Sequence, residues 1–171
     1  MSRYLLFLFT LAFSTQSWAQ PAHPDAAGVY CLTASGPVWL SRLPMPGLQT
    51  QTLGEWLAGE DRFALHYTWD GASSRAQVSE RRPTIKVNLG YKPDRGLQIV
   101  QIVKLEQKSS HRKTDLRLER GLPTEFLGGV AIDLTRGVDG ELLVRPEADL
   151  APGEYMLSLG PLAMQYDFSV R

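Results

Sequence analysis

The chain has 171 residues, 18 basic against 18 acidic, one cysteine, 43% hydrophobic and 21% charged residues. That length suits one domain or one domain with a small extension, and the composition excludes a disordered chain. A single cysteine excludes an intrachain disulfide framework and a Cys-rich zinc site, and zero net charge argues against nucleic acid as a partner.

The first nineteen residues have the layout of a secretory signal peptide. Arg3 supplies a positive start, residues 4–13 are apolar apart from Thr10, and Ser17-Trp18-Ala19 puts small residues at the first and third positions before a cut. Cleavage is expected before Gln20. The apolar run falls well short of the roughly twenty residues that a membrane-spanning helix needs. No cysteine stands at the cut to carry a lipid. The mature protein is therefore expected to be soluble, exported to the periplasm or beyond, with residues 20–27 as a flexible tail. Cys31, in the apolar stretch Val29-Tyr30-Cys31-Leu32, reads as a buried free thiol rather than a nucleophile.

Past the tail, short runs with period-two alternation follow one another, separated by turn residues. Residues 29–33 and 38–40 flank Ala34-Ser35-Gly36-Pro37 as a hairpin. The Pro-rich stretch 43–47 is a loop. Leu53, Trp56 and Leu57 have helical spacing. Phe63, Leu65 and Tyr67 alternate with Arg62, Ala64 and His66 before the turn Trp69-Asp70-Gly71. Ile85, Val87 and Leu89 form a half-buried strand. Residues 97–105 carry apolar side chains on both faces, as in a central or bulged strand. Thr114, Leu116 and Leu118 return after the turn 108–112. Residues 123–127 suit one helical turn. Val130, Ile132 and Leu134 form a strand that turns at 137–140 into 142–144. Tyr155, Leu157 and Leu159, then Tyr166, Phe168 and Val170, complete the series. The fold class is all-β. Residues 28–82 read as a β-rich N-terminal extension packed on an immunoglobulin-like antiparallel sandwich over 83–171.

Leu150-Ala151-Pro152-Gly153-Glu154-Tyr155 precedes an alternating strand. It resembles the Leu-x-Pro-Gly-x-x-Tyr tyrosine corner of fibronectin type III and other immunoglobulin-like domains, one residue shorter here. The resemblance implies that Leu150 plugs the core, Pro152 and Gly153 turn the chain, and the Tyr155 hydroxyl bonds back to the preceding loop. A wider likeness runs through Gly28-Val29-Tyr30 with Trp39, Arg82-Pro83-Thr84, Ile102-Val103-Lys104-Leu105, Arg145-Pro146 and Tyr166-Asp167-Phe168. These stretches look like a set of exported bacterial proteins of uncharacterised function. That likeness implies a bacterial envelope protein with a β-fold and carries over no catalytic residue.

Chemistry-bearing motifs are few. His23, His66 and His111 have no metal-ligand spacing, and no metal or cofactor is expected. Ser35, Ser73-Ser74 and Ser109-Ser110 are turn serines outside any nucleophile elbow. Asp139-Gly140-Glu141 lacks the alternating ligands of a calcium loop. The glycines do not form a phosphate cradle. No catalytic residue is assigned, although paired carboxylates of a hydrolase can converge from any fold. Trp39, Trp56, Trp69, Tyr30 and Tyr67 either fill a core or form a glycan- or peptide-binding strip.

Charge is unevenly spread. Residues 81–120 hold eleven basic and four acidic side chains, a net of +7, between segments of −3 (20–80) and −5 (121–171). Either strands pair these charges across a solvated sheet, or Lys86, Lys104, Lys108, Arg112, Lys113 and Arg117 build a basic face for an acidic partner. Three functions remain open. One is a non-catalytic binding or assembly module acting on an envelope protein or acidic surface, with edge strands such as 166–170 extending a partner's sheet. Another is a small inhibitor or immunity-type protein against an exported hydrolase, with residues 43–47 or 111–113 as its loop. The last is an envelope-polymer hydrolase.

Overall fold

The structure is a computed structural model that describes residues 27–50, 62–90, 99–119, 122–137, 140–160 and 164–171. Residues 1–19, expected to be a signal peptide, nearly all of the expected tail and the helical spacing around Trp56 lie outside these residues. Strands and connecting turns make up the described chain, in antiparallel sheets that do not close into a barrel. Among the described residues there is no helix long and apolar enough to cross a membrane.

The strands form three layers. The front sheet has the order β13 (Ile132–Arg136), β14 (Leu142–Pro146), β7 (Thr84–Asn88), β1 (Gly28–Thr33), β2 (Gly36–Trp39). The central sheet runs β12 (Gly129–Val130), β8 (Gln101–Lys104), β15 (Gly153–Ser158), β16 (Gln165–Val170), β3 (Ser41–Arg42), with β6 (Gln77–Val78) parallel to β16. The back sheet runs β11 (Leu122–Phe126), β10 (His111–Glu119), β5 (Arg62–Asp70), β4 (Gly47–Thr50), with β9 (Glu106–Gln107) also on β10. Residues 28–82 and 83–171 each contribute strands to all three layers.

Alternation decides which core each side chain joins. Val29, Cys31, Ile85, Val87, Leu142 and Val144 of the front sheet meet Ile102, Tyr155, Leu157, Phe168 and Val170 of the central sheet. The next residues along the central strands, Val103 and Met156, point the other way and join Tyr67, Trp69, Leu116 and Phe126 of the back sheet. The stretch around Ile102 is thus buried on both sides, as its apolar pattern predicts. Tyr155 stacks on Phe168 with ring centroids 5.6 Å apart, and its hydroxyl donates to the Ala151 carbonyl at 2.7 Å. That bond lets a phenol sit in the core with its polar end satisfied.

The structure corrects three readings of the pattern. Residues 122–126 are strand β11, not a helical turn, because they pair with Leu116–Glu119 across a register shift and bury Phe126. The run from Val130 to Leu134 is two strands. β12 pairs with β8 in the central sheet, and the chain crosses at Ala131 so that β13 joins the front sheet. Finally, β16 is no edge: β15 flanks it on one side, β3 and β6 on the other.

The central sheet's rear face is partly polar. Glu154 and Asp167, on adjacent strands, are both 4% exposed there. Arg112 of β10, also 4% exposed, reaches across to them. Its Nη1 pairs with Asp167 Oδ2 and stands 3.7 Å from Glu154 Oε2, while its Nε donates to the Gly71 carbonyl at 3.1 Å. The Ser74 amide donates to Glu154 at 2.7 Å. Removing the cation would leave buried carboxylates without a counter-ion, which costs far more than losing an exposed pair. Arg112→Ala is therefore expected to lower unfolding stability by about 3–5 kcal/mol. Arg117→Glu, on the exposed face of the same strand, should cost no more than about 1 kcal/mol. Urea melts of the two variants distinguish these outcomes.

Candidate functional site

The six basic residues singled out in the sequence do not share one face. Arg112 is sealed between the central and back sheets, because even-numbered positions of β10 face inward with Thr114 and Leu116. Lys113 and Arg117 lie on the outer face of the back sheet. Lys113 pairs with Glu106 at 3.0 Å, Lys108 pairs with the same carboxylate, and Arg117 pairs with Glu125. Hydrogen bonds from Lys108 and then Lys113 hold the Glu106 carboxyl below its ordinary range. Lys86 belongs to the front sheet and pairs with Glu141 at 2.6 Å. Lys104 is exposed at the end of β8. The six residues are thus distributed over three layers, and five of them, Lys86, Lys108, Arg112, Lys113 and Arg117, pair with acids.

Between Lys113 and Arg117 on the back sheet, His66 Nδ1 contacts Asp115 Oδ1 at 2.6 Å, directly across β5 and β10. Both side chains are about one-third exposed on an open sheet surface, flanked by Thr68 and Lys113. The surface is polar and solvated rather than recessed. Among the described residues, no three His, Cys, Asp or Glu side chains gather as a metal cluster.

The front sheet presents a different outer surface. The register places Trp39, Tyr30, Lys86, Leu143 and Thr135 in one row across β2, β1, β7, β14 and β13. Tyr30 and Trp39 pack with centroids 4.9 Å apart. The Trp39 ring lies where a side chain at position 28 would project: its Cζ3 is 2.0 Å from the place a Cβ would take, so Gly28 is needed for this approach. Tyr30 Oη and Trp39 Nε1 are buried without hydrogen-bond partners. Tyr67 and Trp69 fill the rear core, while Trp39 remains half-buried.

At the other end of this surface lies an open groove of about 420 Å³, lined by Thr84, Asp133, Leu134, Thr135, Leu143 and Arg145. Asp133 stands opposite Arg145 in the hairpin register yet leans toward Arg82, 3.9 Å away. The exposed Arg145 guanidinium is left facing solvent beside two threonine hydroxyls and the Leu143 side chain. Beyond the groove, β13 ends the front sheet among the described residues. Residues 133–136 are all exposed, with Leu134 42% exposed. Bonds from Glu147 N to Ala131 O and from Gly137 N to Glu141 O set the phase of the hairpin ladder. That phase turns the N–H and C=O groups of Ile132, Leu134 and Arg136 away from β14, toward the open edge. Sequence reading missed this site. Its signal was Leu134, an apolar residue next to a turn, with Asp133 and Thr135 on either side.

The chain matches no protein-family model, no curated protein and no solved structure. The residues of the site therefore stand on their own geometry.

Cys31 is fully buried in the forward core, and burial, followed by the nearby Glu80 charge, pushes its thiol up to about 12. Burial also raises the Tyr67 and Tyr155 phenols. A thiol that ionises near 9.0 when unfolded and near 12 when folded adds stability that is complete below pH 9 and lost as pH rises toward 12. The native protein at pH 8 should not react with a thiol-labelling disulfide until denaturant is added, and stability should decline above pH 9. Tyr30→Phe removes an unsatisfied buried hydroxyl. Thermal melts of that variant should show unchanged or slightly higher stability, since no partner is left unpaired.

Proposed function

We propose that this protein is an exported, non-catalytic binding module of a bacterial envelope, which docks an extended partner segment on the open edge of β13. The signal-peptide layout of residues 1–19 supports export. The order β13-β14-β7-β1 facing β12-β8-β15-β16 supports an immunoglobulin-like reading, since it parallels the D-E-B-A and C′-C-F-G order of such sandwiches. The Tyr155 hydroxyl bond fits the same reading. On this view, the back sheet is built by two excursions from that sandwich, one between β1 and β7 and one between β8 and β12.

The observation that carries the function is the edge itself. Among the described residues β13 has no strand on its outer side, Leu134 is exposed, and the groove beside it holds an exposed guanidinium with no acidic partner. An added strand would take its main-chain bonds from Ile132, Leu134 and Arg136. A carboxylate on that strand would meet Arg145, and the groove's hydroxyls and Leu143 would receive the rest of the side chain. Backbone pairing supplies affinity and the groove supplies selectivity, as in other strand-addition complexes. The partner is then an envelope protein with an extended acidic segment.

Leu134→Pro tests this directly. The Leu134 N–H is not used by β14, so proline at this edge position is compatible with the hairpin but cannot donate to an incoming strand. Crosslinking pull-down from the protein's own envelope should recover a defined partner with the wild-type mature chain. Recovery should be lost with Leu134→Pro and weakened with Arg145→Glu, while both variants keep the wild-type melt. Equal recovery by Leu134→Pro would remove β13 as the docking edge.

A further inference from the structure

A second surface has the features of a preformed anchor. Residues 43–46 link β3 of the central sheet to β4 of the back sheet. The link is held at both ends. Leu43 is buried in the rear core, and its amide donates to the Gln165 carbonyl at 2.8 Å. The buried Trp69 indole donates to the Pro44 carbonyl at 3.1 Å. Thr68 Oγ1 donates to the Gly47 carbonyl at 3.3 Å, where β4 begins to pair with β5. Between these ties Met45 is 94% exposed.

The local sequence dictates an extended tip. Pro44 and Pro46 fix their own φ near about −65°, and each holds the residue before it in the extended region. Leu43 and Met45 are those residues. Met45 is thus an unbranched apolar side chain on a short extended stalk whose backbone has little conformational freedom left to lose on binding. No charged residue occurs from position 43 to position 50. The core absorbs the other described methionines, with Met156 fully buried and Met164 packed against the forward cluster.

We infer that the Pro44-Met45-Pro46 tip enters the substrate cleft of an exported endopeptidase whose specificity pocket accepts an unbranched apolar side chain. Such a cleft binds its substrate extended, and the tip is already extended. Met45 fills the pocket. The bond that would then face attack is Met45–Pro46, whose nitrogen belongs to the pyrrolidine ring and has no N–H, so a segment bound in this way resists turnover. The ties at Leu43, Pro44 and Gly47 keep the cleft from pulling the loop into a productive shape. This inference is independent of β13, because the loop joins the central and back sheets and shares no residue with the front-sheet groove.

The test uses the mature protein against chymotrypsin, subtilisin and elastase as probe endopeptidases with apolar pockets, and trypsin as a control that selects basic side chains. Competitive inhibition of at least one apolar-pocket enzyme is expected, with trypsin unaffected and the Met45–Pro46 bond intact by mass spectrometry after prolonged incubation. Met45→Asp should weaken inhibition by about thirtyfold or more, the loss of one interface hot spot, and Met45→Leu should retain it. Both variants should melt like wild type, because Met45 is solvent-exposed, and Leu134→Pro should inhibit normally. No inhibition of any of the three enzymes, inhibition unchanged by Met45→Asp, or cleavage at residue 45 would each overturn the inference.

Discussion

Arg112, held between Asp167 and Glu154, is the contact on which the three-layer arrangement depends. A sheet covered on both faces has to place every polar side chain against a partner. The rear face of the central sheet carries Glu154 from β15 and Asp167 from β16, two carboxylates far from water. Among the described residues, one strand of the back sheet brings a guanidinium to them, and it also satisfies the Gly71 carbonyl at the end of β5. The cluster therefore sets the position of β10 along the central strands. Apolar packing of Leu116, Phe126 and Met156 would tolerate sliding; a buried ion pair with a fixed fork geometry does not.

This constraint explains where function can reside. Cores on both sides of the central sheet remove its faces from any contact with a partner. The outer face of the back sheet pairs its own charges, His66 with Asp115, Lys113 with Glu106 and Arg117 with Glu125. Surface pairs of this kind contribute little to stability but leave no strong field for an acidic partner. Among the described residues, the groups left open to a partner include the backbone edge of β13, the Arg145 guanidinium and the bare thioether of Met45. Met45 stands on a loop tied at both ends, so a partner would meet a preorganised backbone there.

Much of the layout was legible in the sequence because a strand has a period of two. The β1–β2 hairpin, β5, β7, the β13–β14 hairpin, β15 and β16 all follow from alternation with turn residues between them. The double-sided burial of Ile102 and Val103 follows from unbroken apolar character, and the bond from Tyr155 to Ala151 is what the resemblance of residues 150–155 to a tyrosine corner implies. The 43–47 loop was visible through its prolines. The fate of the charged residues was not legible. On one-dimensional alternation Glu154 and Asp167 look like the solvent-facing partners of Tyr155 and Phe168, and Arg112 looks like one more member of a basic turn. The signal that was present is weaker: Met156, Ser158 and Ser169 make the same face too small and too uncharged for a wet surface.

By itself, then, the sequence determined the strand class, most strand positions, the export signal as an expectation and the rigid exposed tip. These depend on local sterics and on near-neighbour alternation. The tertiary structure alone decided that a third sheet would form, that Arg112 would be buried and that β16 would be flanked on both sides while, among the described residues, β13 ends its sheet. Those outcomes depend on pairings between residues 40 to 80 positions apart, such as Arg112 with Asp167 and Ser74 with Glu154. Burial of a charge is settled by what lies on the far side of its sheet, and no local pattern records that.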